Sequence, residues 1–319
     1  MNEALRDRVS WRKSLRGYLW ASPWFIGFVC FTVGPMIVAA VLSLCKWSGI
    51  GSILGAEWVG AANYERAMVG DEYFWMCLKN TAVYAVGSVV LMLSGALVLA
   101  LVLNQKLKGI SIYRTVFFMP AVVGGIATTV MWRWVYNPEF GLLNTALRYL
   151  FSAWNWLAPE SLHLVETPGW VYSVHWALPA LILMSVWGAG SAMMIFLAGL
   201  QNIPEQLYEA ASIDGAGRVG KFVHITLPQL SPTIFFNLVM GVIGSFQVFA
   251  SAYLLPTTPG GPNNATLVYV LYLYRKAFEH NEMGYACALG WVLFAVILAV
   301  TLLVVGTSRR WVYYEAEAA

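Results

Sequence analysis

The sequence predicts an all-α integral membrane protein with six transmembrane helices and a polar cytoplasmic loop between the fourth and fifth. Two observations carry this. Of 319 residues, 59% are hydrophobic and 11% are charged, less than half the roughly 25% charge of a soluble domain. Six continuous apolar windows also approach or exceed the roughly 20 residues needed to cross a hydrocarbon core as a helix. A β-barrel would instead show short segments of alternating hydrophobicity.

The windows run Tyr18–Leu44, Thr81–Leu103, Val116–Trp132, Trp176–Leu200, Thr233–Leu255 and Tyr285–Gly306, and none contains Asp, Glu, Lys or Arg. The first is too long for a removable signal peptide and lacks a small-residue cleavage site. A basic segment, 1–17, precedes the membrane domain, 18–308, and a short tail, 309–319, follows it. Orientation follows from basic residues, which are retained in cytoplasmic loops. Arg6, Arg8, Arg12, Lys13 and Arg16 precede the first window, and Lys106, Lys108 and Arg114 fall in the second connection. Arg218 and Lys221 lie in the fourth connection, Arg309 and Arg310 in the tail. Both termini and the 201–231 loop are therefore expected on the cytoplasmic side of the membrane. The net charge of +3 needs no nucleic-acid partner.

The outer connections are long and aromatic. Stretches such as Trp132-Arg-Trp-Val-Tyr-Asn-Pro138 and Trp154-Asn-Trp156 suit short helices lying at the headgroups. Pro256-Thr-Thr-Pro-Gly-Gly-Pro262 marks a tight outer turn, because its prolines and glycines oppose helix. Cys30, Cys45, Cys77 and Cys287 show no metal or redox spacing, although Cys45 and Cys77 both fall near the outer face, where a bridge is open to them. The histidines at 163, 175, 224 and 280 form no ligand pair. No metal site and no cofactor are expected in this chain.

The fourth connection carries the most information. Pro204 with the acids after it signals a helix start. Gly215 and Gly217 interrupt that helix, and Pro228 is expected to restart one that feeds the fifth span. Ala210, Ala211, Gly215 and Ala216 leave little bulk, which lets a partner's backbone approach closely. Glu209 and Asp214, with Arg218 and Lys221 behind them, can hold the loop or pair with that partner. Gly215-Ala-Gly-Arg-Val-Gly220-Lys221 matches the GxxxxGK part of a phosphate-binding loop, but Phe222 stands where a Ser or Thr hydroxyl must reach Mg²⁺, and no strand precedes it. The absence of ionisable residues in the spans also argues against a proton-coupled carrier. Energy for any transport must come from another subunit.

The segment Glu209-Ala-Ala-Ser-Ile-Asp214-Gly215, closed by Ile225-Thr-Leu-Pro228, resembles the EAA motif of ABC importer permeases. Phe118-Met-Pro-Ala, Trp132 to Gly141, Trp58-Val-Gly-Ala-Ala-Asn63-Tyr64, Leu197-Ala-Gly-Leu-Gln201 and Gly260-Gly-Pro262 extend the resemblance to the carbohydrate-uptake branch, the permeases of maltose and glycerol-3-phosphate type. One departure is the longer 256–262 turn. The resemblance implies that Glu209, Ala210, Ala211, Asp214 and Gly215 form a coupling helix seated in a cleft of a cytoplasmic ATPase. It also implies a second permease subunit, two ATPase subunits that hold ATP and Mg²⁺, and an extracytoplasmic solute-binding protein. The cargo would be a sugar or sugar derivative.

A sugar path at membrane depth calls for uncharged hydrogen-bonding side chains and aromatic faces. Thr128, Ser191, Ser245 and Gln247 are the polar candidates, falling near places that line the path in the related maltose permease, with Thr129, Ser185 and Asn237 as further polar residues in the spans. Trp132, Trp187, Phe246 and Tyr253 could supply faces. Each hydroxyl could instead bond back to its own helix. Gln247 is the strongest candidate, because an amide is costly in hydrocarbon without a partner. Two other readings remain: the same architecture with a different polar cargo, or a membrane scaffold that binds an ATPase without passing substrate.

Overall fold

In hydrocarbon a backbone must satisfy its own hydrogen bonds, and an apolar run therefore folds as a helix. The computed structural model describes residues 17–105, 107–157 and 166–313. Arg6, Arg8, Arg12, Lys13, Arg16, Lys106 and His163 lie outside the described residues, as do the last six residues of the tail. The principal helices are α1 (Gly17–Ser43), α2 (Phe74–Leu103), α3 (Ile110–Val122), α4 (Gly125–Val135), α5 (Leu142–Leu157), α6 (Ala177–Gln201), α7 (Glu205–Ile213), α8 (Leu227–Phe246) and α9 (Met283–Ser308). Among the described residues, five stretches are long and apolar enough to cross a membrane, or six if α3 and α4 form one bent span.

The third expected span, 116–132, is not one straight helix. Helices α3 and α4 meet at 100°. Pro120 lies in the last turn of α3, where its ring removes a donor and crowds the preceding carbonyl. Val123 and Gly124 then adopt extended ψ angles of 126° and 142°. The fifth span, expected over 233–255, also differs. Its helix begins earlier, through a five-residue π-turn at Phe222–Thr226, and α8 ends at Phe246. Gln247 to Phe249 leave the helix before a short turn resumes at Ala250–Leu254. Pro228 accordingly does not restart a helix. Leu227 N–H bonds the Phe222 carbonyl, a wider i→i−5 step that carries the chain past the missing proline donor.

Contacts divide the chain into two units, residues up to 71 with 273–292, and 72–272 with the remainder. In the first, α1 is exposed along most of its length, and Cys45–Lys46 pairs antiparallel with Glu57–Trp58. The Asn63 amide donates to the Ser43 and Cys45 carbonyls at 2.8 and 3.0 Å, which fixes this short ladder. Arg66 donates to both carboxylate oxygens of Glu282 at 2.9 and 3.0 Å and lies 4.3 Å from the Tyr285 ring centroid. The four cysteines carry free thiols.

In the second unit, α2 packs against α6 and α8. Ala96 and Ala100 of α2 meet Ala192, Met193, Phe196 and Leu200 of α6 in the buried core. Small residues at such spacing let helix backbones approach, the means by which helices associate in lipid. Helices α3 and α6 approach closely at Gly190, where an added Cβ would stand 2.6 Å from the Phe117 carbonyl oxygen. The C-terminal segment is tied to α8 by Tyr313 N–H donating to Ser231 Oγ at 2.8 Å and by the Phe235–Trp311 edge contact. The connection between α4 and α6 holds α5, whose Asn144 accepts from Trp170 Nε1 at 2.7 Å, while Tyr149, Leu150 and Trp156 on it are exposed. Pro256–Pro262 forms a turn in which Gly260 and Gly261 take φ of 84° and 71°.

Gly190→Leu should force α3 away from α6 and lower stability by about 1–3 kcal/mol, the usual cost of overpacking. Thermal unfolding of the purified protein in detergent should show this, while Gly306→Leu, where nothing lies within 4 Å, should leave the midpoint in place.

Candidate functional site

Two regions of the second unit bring chemistry together: a cavity among the helices and the loop after α6. The breaks in the third and fifth spans both line the cavity. Its volume is about 920 Å³, and it is walled by α2, α3, α4, α6, α8 and residues 247–251. Its lining carries no Asp, Glu, Lys, Arg or His. It combines rings from Tyr84, Trp187, Phe236 and Phe249 with small polar groups.

Of the residues proposed from sequence, Thr128, Ser191, Trp187, Ser245 and Gln247 line this cavity together, as do Thr129, Ser185 and Asn237. Trp132, Phe246 and Tyr253 do not. Trp132 stands edge-on behind Trp187, with centroids 5.8 Å apart, and its indole nitrogen is buried without a partner among the described residues. Tyr253 stacks on Phe249 at 5.5 Å, and Phe246 is buried in the helix packing. Two of the three thus stand behind rings that reach the cavity.

The hydroxyls separate into two groups. Ser185, Ser245 and Thr129 donate to the carbonyls of Ile182, Val242 and Gly125 at 2.6, 2.8 and 2.7 Å. These back-bonds satisfy a polar group in its own helix. Thr128, Ser191 and Gln247 make no side-chain hydrogen bond among the described residues. Asn237 donates to Thr233 at 3.0 Å, which leaves its carbonyl oxygen and second N–H for the cavity. Sequence reasoning missed Tyr84 and Ser88 of α2, having restricted the path to spans three to five; a polar Ser88 within an apolar run was the available signal. Beyond the cavity, the Tyr136 hydroxyl donates to the Ala180 carbonyl at 2.7 Å. Burial raises the pKa of that phenol, keeping it a neutral donor.

The loop after α6 folds as the expected short helix and glycine turn, but the helix that follows begins at Arg218 and runs into the fifth span without a restart at Pro228. Helix α7 ends in two bonds, from Ala216 N–H to Ala211 O at 2.8 Å and from Gly215 N–H to Ser212 O at 3.2 Å. With Gly215 at φ 80°, this is the Schellman ending that requires a left-handed residue. Lys221 of the next turn reaches Ser212 Oγ at 2.5 Å, and the Tyr208 and Thr226 hydroxyls pair at 2.9 Å. The loop is thus internally braced, yet its outer face is open. Glu209, Ala210, Asp214 and Gly215 are exposed, Ala211 is half-buried, and Ile213 and Val219 stand 88% and 76% exposed. Glu209, Asp214 and Arg218 form no ion pair among the described residues. A helix, not a strand, precedes Gly215, and Lys221 is engaged with Ser212, so the segment lacks the setting of a phosphate-binding loop.

Residues 92–314 match the family described as binding-protein-dependent transport system inner membrane component. The chain is 42% identical over 317 residues to the "Probable ABC transporter permease protein YesP" of Bacillus subtilis, covering 99% of this chain and 97% of that protein. It is 35% identical to the arabinooligosaccharides transport system permease protein AraP of Bacillus subtilis, over 91% of this chain and 88% of the relative. Identity to the lactose transport system permease protein LacF of Rhizobium radiobacter is 31%, over 93% and 95%. The fold is similar to a chain of the crystal structure of a bacterial ABC transporter involved in the import of the acidic polysaccharide alginate. The TM-score is 0.76 at 23% identity, covering 94% of this chain and 98% of that one. The chain belongs to the binding-protein-dependent transport system inner membrane component family, as a multi-pass ABC transporter permease and not an enzyme.

Proposed function

We propose that this permease imports a sugar or sugar derivative delivered by an extracytoplasmic solute-binding protein, and that the cavity walled by α2, α4, α6 and α8 is part of its path. The observation that carries the reading is the lining itself: uncharged hydrogen-bonding groups beside aromatic faces, the combination a sugar's hydroxyls and apolar ring faces require. Relatives named for arabinooligosaccharide and lactose transport support the cargo class. On this reading Thr128, Ser191 and Gln247 have hydrogen-bonding capacity to offer a cargo, and Trp187 and Phe249 offer rings, backed by Trp132 and Tyr253.

The partners on this reading are a second permease and two ATPase subunits that bind ATP and Mg²⁺. Helix α7 is the coupling element. Its exposed Glu209, Ala210, Asp214 and Gly215 with half-buried Ala211 supply a low-bulk face for a cleft in the ATPase, and exposed Ile213 and Val219 supply apolar area. The brace from Lys221 to Ser212 would let α7 and the start of the fifth span move as one piece. Closure of the ATPase pair on nucleotide then shifts the spans between two global states, by differential binding to them. On this reading the 201–231 loop and both termini are cytoplasmic, which the retention of basic residues in cytoplasmic segments supports.

Gly215→Arg should lower uptake by reconstituted transporter at least about tenfold, since it adds bulk and strains a left-handed position by about 1 kcal/mol. Membrane insertion should persist, and Gly215→Asn, which tolerates that conformation, should retain more activity. Uptake unchanged by the arginine would remove the coupling assignment. Gln247→Leu should raise the half-saturating cargo concentration about 5–15-fold, the equivalent of one lost hydrogen bond of about 1–1.5 kcal/mol. Cargo-stimulated ATPase titrations would show it.

A further inference from the structure

A second cavity of the same unit shares no lining residue with the first and opens beside α7. Its volume is about 530 Å³, within the roughly 300–1,000 Å³ of small-molecule sites. Four segments bring polar side chains to it: Asn104 and Gln105 just past α2, Arg114 of α3, Gln201 ending α6, and Glu205 and Tyr208 of α7. Leu200 and Ile203, both part of the buried core, supply apolar wall.

Much of this polar capacity is unused. Arg114 donates through Nε and Nη2 to the Leu103 carbonyl at 3.3 and 2.9 Å, closing the end of α2 as a basic side chain can. The Nη1 N–H groups of its five-donor fork have no partner among the described residues. Asn104, Gln105 and Gln201 likewise make no side-chain hydrogen bond among the described residues. Tyr208 is half-buried, its hydroxyl is engaged with Thr226 at 2.9 Å, and it adds an aromatic ring to the lining.

This lining selects a neutral polyhydroxyl ligand. An anion at Arg114 would share the pocket with the Glu205 carboxylate, and a cation at Glu205 would share it with the guanidinium. A saccharide hydroxyl both donates and accepts, so it can bond a carboxylate, a guanidinium and either end of an amide. Bonds to charged groups are roughly twice as strong as neutral ones, and the first cavity has none to offer. A path must release its cargo, whereas this pocket is equipped to retain it.

We propose that this pocket is a saccharide site on the cytoplasmic side, through which imported cargo slows its own uptake. The proposal rests on the sugar-import reading above and adds a regulatory site to it. The pocket's polar groups come from the ends of α2, α3 and α6 on one side and from the start of α7 on the other. A saccharide bonded to both sets ties the coupling element to the helix ends. Closure of the ATPase pair has to shift α7, and with it the entry to α8 through the Tyr208–Thr226 and Lys221–Ser212 links. A ligand that binds only the unshifted arrangement opposes that step by mass action.

The test uses the assembled transporter and its binding protein in proteoliposomes with ATP inside. A mixture of lactose, arabinotriose and cellobiose is offered outside, and the member taken up, read by mass spectrometry, becomes the probe, isotope-labelled outside and unlabelled inside. Raising the internal probe should lower the initial uptake rate of wild type along a saturable curve, to about one tenth at about ten times the half-inhibiting concentration. Asn104→Ala with Gln105→Ala, at exposed positions past the end of α2, should leave uptake into probe-free vesicles unchanged. The pair should raise the half-inhibiting concentration about tenfold or more, each lost hydrogen bond counting about threefold to tenfold. Gln247→Leu should leave that internal concentration in place, which separates the pocket from rebinding in the path. No inhibition of wild type by internal probe would overturn the site, as would inhibition unchanged in the Asn104/Gln105 double variant or weakened by Gln247→Leu. Inhibition that follows the phosphatidylethanolamine content of the vesicles and not the probe would assign the pocket to a lipid headgroup and overturn it too. Each of these results leaves sugar import standing. Uptake of none of the saccharides would overturn the sugar reading and this inference with it.

Discussion

Backbone hydrogen bonding at membrane depth is the constraint on which the rest of this structure depends. Every carbonyl and N–H in hydrocarbon needs a partner, and irregular backbone is tolerated only where protein or a polar cavity surrounds it. The second unit breaks its spans in two places, at Val123–Gly124 and at Gln247–Phe249, and both breaks line the same 920 Å³ cavity. Each break also does something a continuous helix could not. One turns the chain through 100° between α3 and α4, and the other releases Gln247 from helix α8. The packing of α2, α6 and α8 through Ala96, Ala100 and Ala192 holds the walls in which those breaks are affordable.

The loop after α6 obeys the same accounting in water. There the last carbonyls of α7 could be solvated, yet they are closed by the Gly215 turn and the Ala216 to Ala211 bond. Closing the Ala210, Ala211 and Ser212 carbonyls internally leaves a partner to meet mainly side chains and apolar area at that end. The link from Lys221 to Ser212 and the pair of Tyr208 with Thr226 then join α7 to the turn that enters α8. A push on α7 would meet a π-turn next, not a flexible hinge, since Phe222–Thr226 remains hydrogen-bonded through the i→i−5 step.

Much of the helix plan was legible in the sequence because uncharged apolar runs leave few alternatives. The helix and glycine turn of the 201–231 loop were legible for the same local reason: Pro204 and Gly215 each permit few conformations. What could not be read was whether Pro120, with Gly124 and Gly125, merely kinks a span or folds it back. A proline inside an apolar run is compatible with both, and the answer depends on α6, whose Gly190 admits the Phe117 carbonyl. The aromatic candidates failed for a related reason. Trp132 and Trp187 are equivalent as composition, and only packing places one ring at the cavity and the other behind it. Tyr84 and Ser88 were passed over because Thr81, Tyr84, Ser88 and Ser94 all interrupt the α2 run, and the sequence does not say which of them faces a cavity.

The distinction between satisfied and unsatisfied hydroxyls carries further than the list of lining residues. A cavity of this size could hold many polar solutes, and lining composition alone selects among them weakly. Ser185, Ser245 and Thr129 spend their donors on their own helices, so a cargo gains only their remaining acceptor capacity. Thr128, Ser191 and Gln247 keep donors in reserve. A cargo with both hydroxyl donors and acceptor oxygens therefore meets unused side-chain capacity at Thr128, Ser191 and Gln247.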